Sequence, residues 1–185
     1  MGKKLVISCM DYRLTQTIRE RSEKEDAYVF RNAGANVNGL RKALSQIDAE
    51  EVIFMPHNDC AAMKLVYRVI KEGIKVEDEI MKSLIDQFNS IKFSTTNELE
   101  KENVKIQAKI LSEIFPKSKI TIEFIDVNSL KWPERKPEVQ LLRYNTKYEE
   151  EINGTYIIQS NSKESVIPDI QIANLLGLKI IKDEL

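Results

Sequence analysis

Residues 50–73, EEVIFMPHNDCAAMKLVYRVIKEG, read as one strand-to-helix unit. EEVIFMPH is a short apolar run of strand length, closed by Pro56. AAMKLVYRVIKEG then follows a helical pattern, with Asn58 or Asp59 as candidate caps and Gly73 ending it. Two chemically versatile side chains, His57 and Cys60, fall on the connection between the elements. His57 is the only histidine in the chain, and Cys9 is the only other cysteine.

Working outward, the same alternation recurs. KKLVISCM, residues 3–10, reads as a buried strand with Val6 and Ile7 leading into Cys9. RLTQTIRERSEKED is helix-permissive, and AYVFRNAG is a second strand ended by Asn32, Ala33 and Gly34. VNGLRKALSQI predicts a helix with Leu40, Ala43, Leu44 and Ile47 on one stripe. Residues 76–115 read as helix interrupted near Thr95–Asn97, and SKITIEFIDV as a strand. LKWPERKP is the clearest loop, and EVQLLRY and GTYIIQ follow as strands. A helix over IPDIQIANLLG comes next, with Pro168 in its first turn and Gly177 past its end, and then LKIIK. Strands alternating with helices predict an α/β fold, a central mostly parallel sheet flanked by helices. No repeat or low-complexity linker divides residues 1–185, so they are read as one domain.

At 185 residues, 42% hydrophobic and 31% charged, the chain has the composition of a globular protein. Lys+Arg 28 against Asp+Glu 29 gives a net charge of -1, which argues against a nucleic-acid partner. The wealth of Lys, Glu and Ile is a compositional hint of heat adaptation. No apolar run approaches the roughly 20 residues of a membrane span, and MGKKLVISCM does not read as a signal peptide. The terminal KDEL and the sequon Asn153-Gly154-Thr155 are therefore read as coincidences in a cytoplasmic protein with reduced thiols. ELEKEN and YEEE are read as solvated charge runs.

Parallel strands bring their C-terminal ends together, and ligand sites of open α/β sheets lie there. Cys9 at one strand end and His-x-x-Cys at another can give one zinc ion three soft ligands, leaving a fourth position open as catalytic zinc sites do. On spacing alone the alternative stands that each cysteine is a small core residue. Asp11 and Arg13, two apart on an extended segment, would share a face with Cys9; an exposed ion pair is the plainer reading of them.

In order along the chain, CMDYRL (9–14), RNAGANV (31–37) and HNDCAAM (57–63) resemble the three signatures of the β-class carbonic anhydrases: Cys-x-Asp-x-Arg, Arg-Asn-Ala-Gly-Asn and His-x-x-Cys-Gly. The resemblance is strong over residues 4–73 and fainter through ENVKIQAKIL and ITIEFIDV. It implies zinc held by Cys9, His57 and Cys60, Asp11 and Arg13 as a catalytic dyad, and a substrate pocket framed by Arg31, Asn32, Ala33 and Gly34. It further implies reversible hydration of carbon dioxide to bicarbonate, with zinc hydroxide as nucleophile, oriented by Asp11. In some members the matching aspartate instead ligates zinc at rest. A small-molecule substrate and a homodimer or higher homo-oligomer are the implied partners. Two thiolate ligands offset the dication, so activity is expected to rise on the alkaline side of neutral. With His57 engaged, proton transfer is expected to lean on external buffer, a carboxylate or a tyrosine such as Tyr12.

The sequence departs from the resemblance in several places. The N-terminal helices many members carry are not seen, and the interval before His57 is short. Pro56 and Ala61 replace glycines, with Ala61 expected to crowd the pocket, and RNAGANV has an added alanine before Asn36. From about residue 131 to 185 the chain follows no family pattern and reads as a divergent C-terminal extension that adds strands to an edge or remakes a dimer surface. Two alternatives follow: hydrolysis of carbon disulfide or carbonyl sulfide on the same scaffold, or a zinc-binding homologue without catalysis.

Overall fold

The computed structural model describes residues 2–148, 152 and 154–185; Asn153 of the sequon and the glutamates of YEEE lie outside the described residues. Among the described residues, seven strands form one sheet in the order β4-β3-β1-β2-β6-β5-β7. They are β1 Lys3–Cys9, β2 Tyr28–Asn32, β3 Ala49–Met55, β4 Lys119–Ile122, β5 Glu138–Arg143, β6 Tyr156–Ser160 and β7 Lys179–Asp183. The first four are mutually parallel, as are the last three, and the two blocks meet antiparallel where Arg31 of β2 opposes Gln159 of β6. The sheet is therefore mostly parallel, with one reversal at its middle.

The helices are α1 Thr15–Glu25, α2 Arg41–Leu44, α3 Ala61–Glu72, α4 Asp78–Ile80, α5 Thr96–Ile114 and α6 Ile167–Leu175. Continuous apolar runs such as Leu5–Ile7 and Val52–Phe54 are wholly buried, as expected of strands covered on both faces. Each such side chain contributes about 1.5–3 kcal/mol of burial free energy. Among the described residues no helix is long and apolar enough to cross a membrane.

Two local expectations are corrected. Residues 37–47 do not form one helix: Val37–Leu40 is a 3₁₀ turn, followed by the single turn of α2. Tertiary contacts pull this segment off the α-helical path. Asn38 takes its backbone N–H to the Gln107 side chain and its amide to the Ser83 carbonyl, while a Cβ on Gly39 would lie 2.5 Å from Ser83 Oγ. Residues 9–13 are likewise not extended throughout. The Asp11 side chain accepts the Arg13 backbone N–H at 2.9 Å, opening a 3₁₀ turn over Tyr12–Leu14.

Candidate metal centre

Adjacent parallel strands β1 and β3 end side by side, and this brings the three soft donors together. Cys9 is the last residue of β1; His57 and Cys60 lie on the loop after β3, and Cys60 is the N-cap of α3. Their ligand atoms all lie within 4.8 Å of one another, and all three residues are buried. His57 Nδ1 lies 2.6 Å from the Asn58 carbonyl, which fixes the ring. Among the described residues, its Nε2 is buried without a hydrogen-bond partner. One orphaned imidazole nitrogen beside two sulfurs is a donor set that suits zinc, the soft N/S triad of a site with an open fourth position.

Charge at the cluster is tightly linked. A hydrogen bond from Cys60 lowers the Cys9 thiol well below its ordinary value, against burial. The same bond, with burial, pushes Cys60 up, so the pair tends to hold one proton between its sulfurs. His57 is raised: burial opposes its charge, but the Cys9 thiolate and Asp11 outweigh it.

Asp11 stands outside the cluster, turned to Arg13. Arg13 Nε lies 3.1 and 3.0 Å from the Asp11 carboxylate oxygens, and Nη2 lies 2.6 Å from Oδ2. The arginine is gripped from its other side by Asp59, through Nη1 to Oδ2 at 2.9 Å and Nη2 to the backbone carbonyl at 2.8 Å. Burial disfavours the guanidinium charge, but the bonds to Asp11 and Asp59 more than offset it and raise Arg13 further. Trp132, from the LKWPERKP loop, lies over the guanidinium at 4.9 Å from ring centroid to Cζ, with its indole N–H on the Val127 carbonyl.

The RNAG residues act as struts for this site. Arg31 is fully buried and donates to the Cys9 carbonyl at 3.0 Å, the Asp11 carbonyl at 2.7 Å and Thr15 Oγ1 at 3.1 Å, bracing the backbone that carries Cys9 and Asp11. Asn32 bonds both ways with the Asn36 backbone. Gly34 has φ +76, and a Cβ there would meet Met63 Cε at 3.1 Å and Ala62 Cβ at 3.2 Å, so the turn requires glycine. The added alanine, Ala35, is buried at φ +51, a left-handed strain of the kind that gathers near functional sites. Ala61 is exposed, so its methyl does not crowd the buried cluster.

Several residues that sequence reasoning passed over or misread hold the site; ELEKEN, read as a solvated charge run, turns Leu99, Glu100 and Asn103 inward because their partners lie on the loops beneath α5. Helix α5 presents a buried polar stripe, Glu100, Asn103 and Gln107, which takes the Cys60 N–H at 2.7 Å, the Gly34 carbonyl at 3.0 Å and the Asn38 N–H at 3.1 Å. The readable signal was polar residues at three successive inward positions of an otherwise amphipathic helix. From the C-terminal extension, Tyr148 reaches Arg31, and Asp169 of α6 accepts the Ala33 N–H at 2.8 Å. Tyr156 stands opposite Asp11, flanked by the bonds Tyr12 N–H to Thr155 carbonyl and Ile157 N–H to Met10 carbonyl. Nothing local in the sequence marks these three, because each acts across more than a hundred residues.

Asp169 is pushed up to about 7, by burial first and then by the Cys9 charge. Its carboxyl binds a proton more tightly in the folded chain than in the unfolded one, whose value is near 3.8. Stability is therefore lost as pH rises from about 4 to 7, with a penalty of at most about 4 kcal/mol fully present above 7. Asp169→Asn keeps an acceptor for Ala33 and removes this dependence. Urea unfolding at pH 5 and pH 8 is expected to show a smaller stability drop in the variant, by about 2 kcal/mol or more; equal drops in both proteins would contradict the assignment.

The family model described as carbonic anhydrase matches residues 4–132. No curated protein matches the sequence. Similar solved structures include a carbonic anhydrase from Glaciozyma antarctica, 23% identical, with a TM-score of 0.44 over 71% of this chain and 82% of that one. Tetrameric β-carbonic anhydrases from Sordaria macrospora are also similar, at 15% identity and a TM-score of 0.46 over 71% and 80%. A β-carbonic anhydrase of Aspergillus fumigatus matches at 17% identity, with a TM-score of 0.46 over 72% and 76%. The family match spans most of the sequence and contains the three clustered donors together with Asp11 and Arg13, and on it the chain belongs to the β-class carbonic anhydrase family.

Proposed function

We propose that this protein hydrates carbon dioxide reversibly to bicarbonate, with zinc held by Cys9, His57 and Cys60. The observation that carries the reading is the meeting, in one buried place, of the N/S donor triad with a carboxylate that Arg13 engages on both oxygens. When bound, zinc supplies Lewis-acid activation of water. The remaining work falls to the chain. The Asp11 side chain would accept a hydrogen bond from the attacking oxygen and so direct that oxygen's lone pair at the substrate carbon. Arg13 holds the Asp11 side chain in that orientation, and Asp59 and Trp132 keep Arg13 from swinging away. The Ala62 and Met63 N–H groups at the α3 N-terminus favour thiolate at Cys60, partly offsetting the neighbouring Cys9 and the burial that push its thiol up.

Product protons have no second histidine to use. Burial pushes the Tyr156 phenol far up, so it keeps its proton and does not carry them. We expect turnover to depend on external buffer. The two free cysteines suit a reducing cytoplasm, and a homodimer or higher homo-oligomer is the assembly we expect from the family.

The test is stopped-flow hydration of carbon dioxide by zinc-loaded protein from pH 6 to 9, with carbonyl sulfide and carbon disulfide run beside it. Hydration that climbs toward alkaline pH, and exceeds turnover of both sulfur substrates, is the expected result. A flat profile, or faster consumption of a sulfur substrate, would replace the reading.

A further inference from the structure

The family match ends at residue 132, yet β6 lies beyond it and runs against the segment that carries Cys9 and Asp11. The two bonds Tyr12 N–H to Thr155 carbonyl (3.1 Å) and Ile157 N–H to Met10 carbonyl (2.8 Å) bracket the antiparallel pair Asp11 and Tyr156. This bonding pattern defines the non-hydrogen-bonded type of pair, in which opposed side chains lie closest and share one face. Cys9, two residues before Asp11, stands on that face as well. Tyr156 is buried, and its phenol feels the charges of Cys9, Cys60 and Asp11. An aromatic ring is thus set beside Asp11, within electrostatic reach of the donor sulfurs, by the same chain.

We propose that Tyr156 is a wall of the substrate pocket, supplied by the C-terminal extension, and that its ring limits the metal's open position to small linear ligands. This rests on the zinc-site reading above. It makes Tyr156 a specificity-determining residue, and it gives the extension a role in the site as well as in the sheet. The hydroxyl is not needed for the effect. Removing the ring opens space beside Asp11, whereas removing only the oxygen leaves the wall in place.

The experiment uses full-length protein loaded with cobalt(II) in place of zinc and follows its visible absorption during titration. Azide is the linear triatomic probe and imidazole the bulkier one. In wild type and Tyr156→Phe, azide is expected to perturb the spectrum and imidazole to bind at least about tenfold more weakly. In Tyr156→Ala, imidazole is expected to tighten at least about tenfold, with azide changed by less than about threefold and one cobalt per chain retained. Tyr156→Leu, which fills the buried space with a shorter side chain, serves if the alanine variant does not fold, with the same direction expected. Unchanged imidazole affinity in a folded, cobalt-loaded variant overturns the role of Tyr156 alone. Failure of the wild type to take up cobalt overturns the metal site and this inference with it. Cobalt uptake and imidazole exclusion without carbon dioxide hydration overturn the proposed reaction and leave the pocket wall standing.

Discussion

Cys60→Ser is expected to lose its zinc: metal per chain falls from near one to less than about a tenth after dialysis against micromolar chelator. The thiolate is one of only three protein donors in the cluster, and a neutral hydroxyl replaces neither its charge nor its softness. The sulfur is also the group whose proton Cys9 shares, so both donors change character together. The fold should survive, because the Cys60 backbone N–H still reaches Glu100 and its carbonyl still receives the Lys64 N–H. Wild type should gain about 4 kcal/mol of unfolding stability from zinc at a thousand times its Kd, and the variant almost none. Metal analysis and urea unfolding with and without zinc measure both effects. Full metal content in the variant would sink the ligand assignment.

Asp11→Ala is expected to keep its zinc and fold yet lose about 10²–10⁴-fold in hydration kcat/KM. The carboxylate lies outside the donor cluster, so its removal leaves the metal's protein ligands untouched. The main-chain braces remain as well, since Arg31 bonds the Asp11 carbonyl and β6 bonds the neighbouring backbone. Arg13 keeps Asp59 and Trp132 as partners and is not left as an uncompensated buried charge. What disappears is the acceptor that orients the attacking oxygen. Stopped-flow rates on metal-counted samples check this, and a variant within threefold of wild type would remove Asp11 from the chemistry.

The contrast between these variants follows what the sequence could and could not disclose. Strand ends of a parallel sheet gather in one place, so spacing allowed Cys9, His57 and Cys60 to meet from two short stretches, and the family resemblance made their meeting the expectation. The pairing of Asp11 with Arg13 was legible too, although for a different local reason: an N-capping aspartate turns the chain into a 3₁₀ turn, and the arginine curls back onto it. RNAG read as a pocket frame, and what the sequence left out is that Arg31 is a buried brace on the Cys9 and Asp11 carbonyls as well as on Thr15 and Tyr148, since main-chain acceptors leave no mark in a sequence. The helix expected over 37–47 failed because Gly39 and the side chains of Asn38, Ser83 and Gln107 fix a local path that periodicity does not encode. The C-terminal strands were recognisable as strands. Their joining β2 antiparallel, with Tyr156 opposite Asp11 and Asp169 on Ala33, depends on pairings between distant segments that the pattern of apolar residues leaves open.

The most direct test of the whole account is zinc content and carbon dioxide hydration measured on one sample of the intact chain. The account predicts one zinc per chain and fast turnover that favours alkaline pH, both lost together when the metal is chelated and recovered together on reloading. Full zinc with no hydration above the uncatalysed rate would contradict it, because the ligand triad would then stand without the reaction assigned to it.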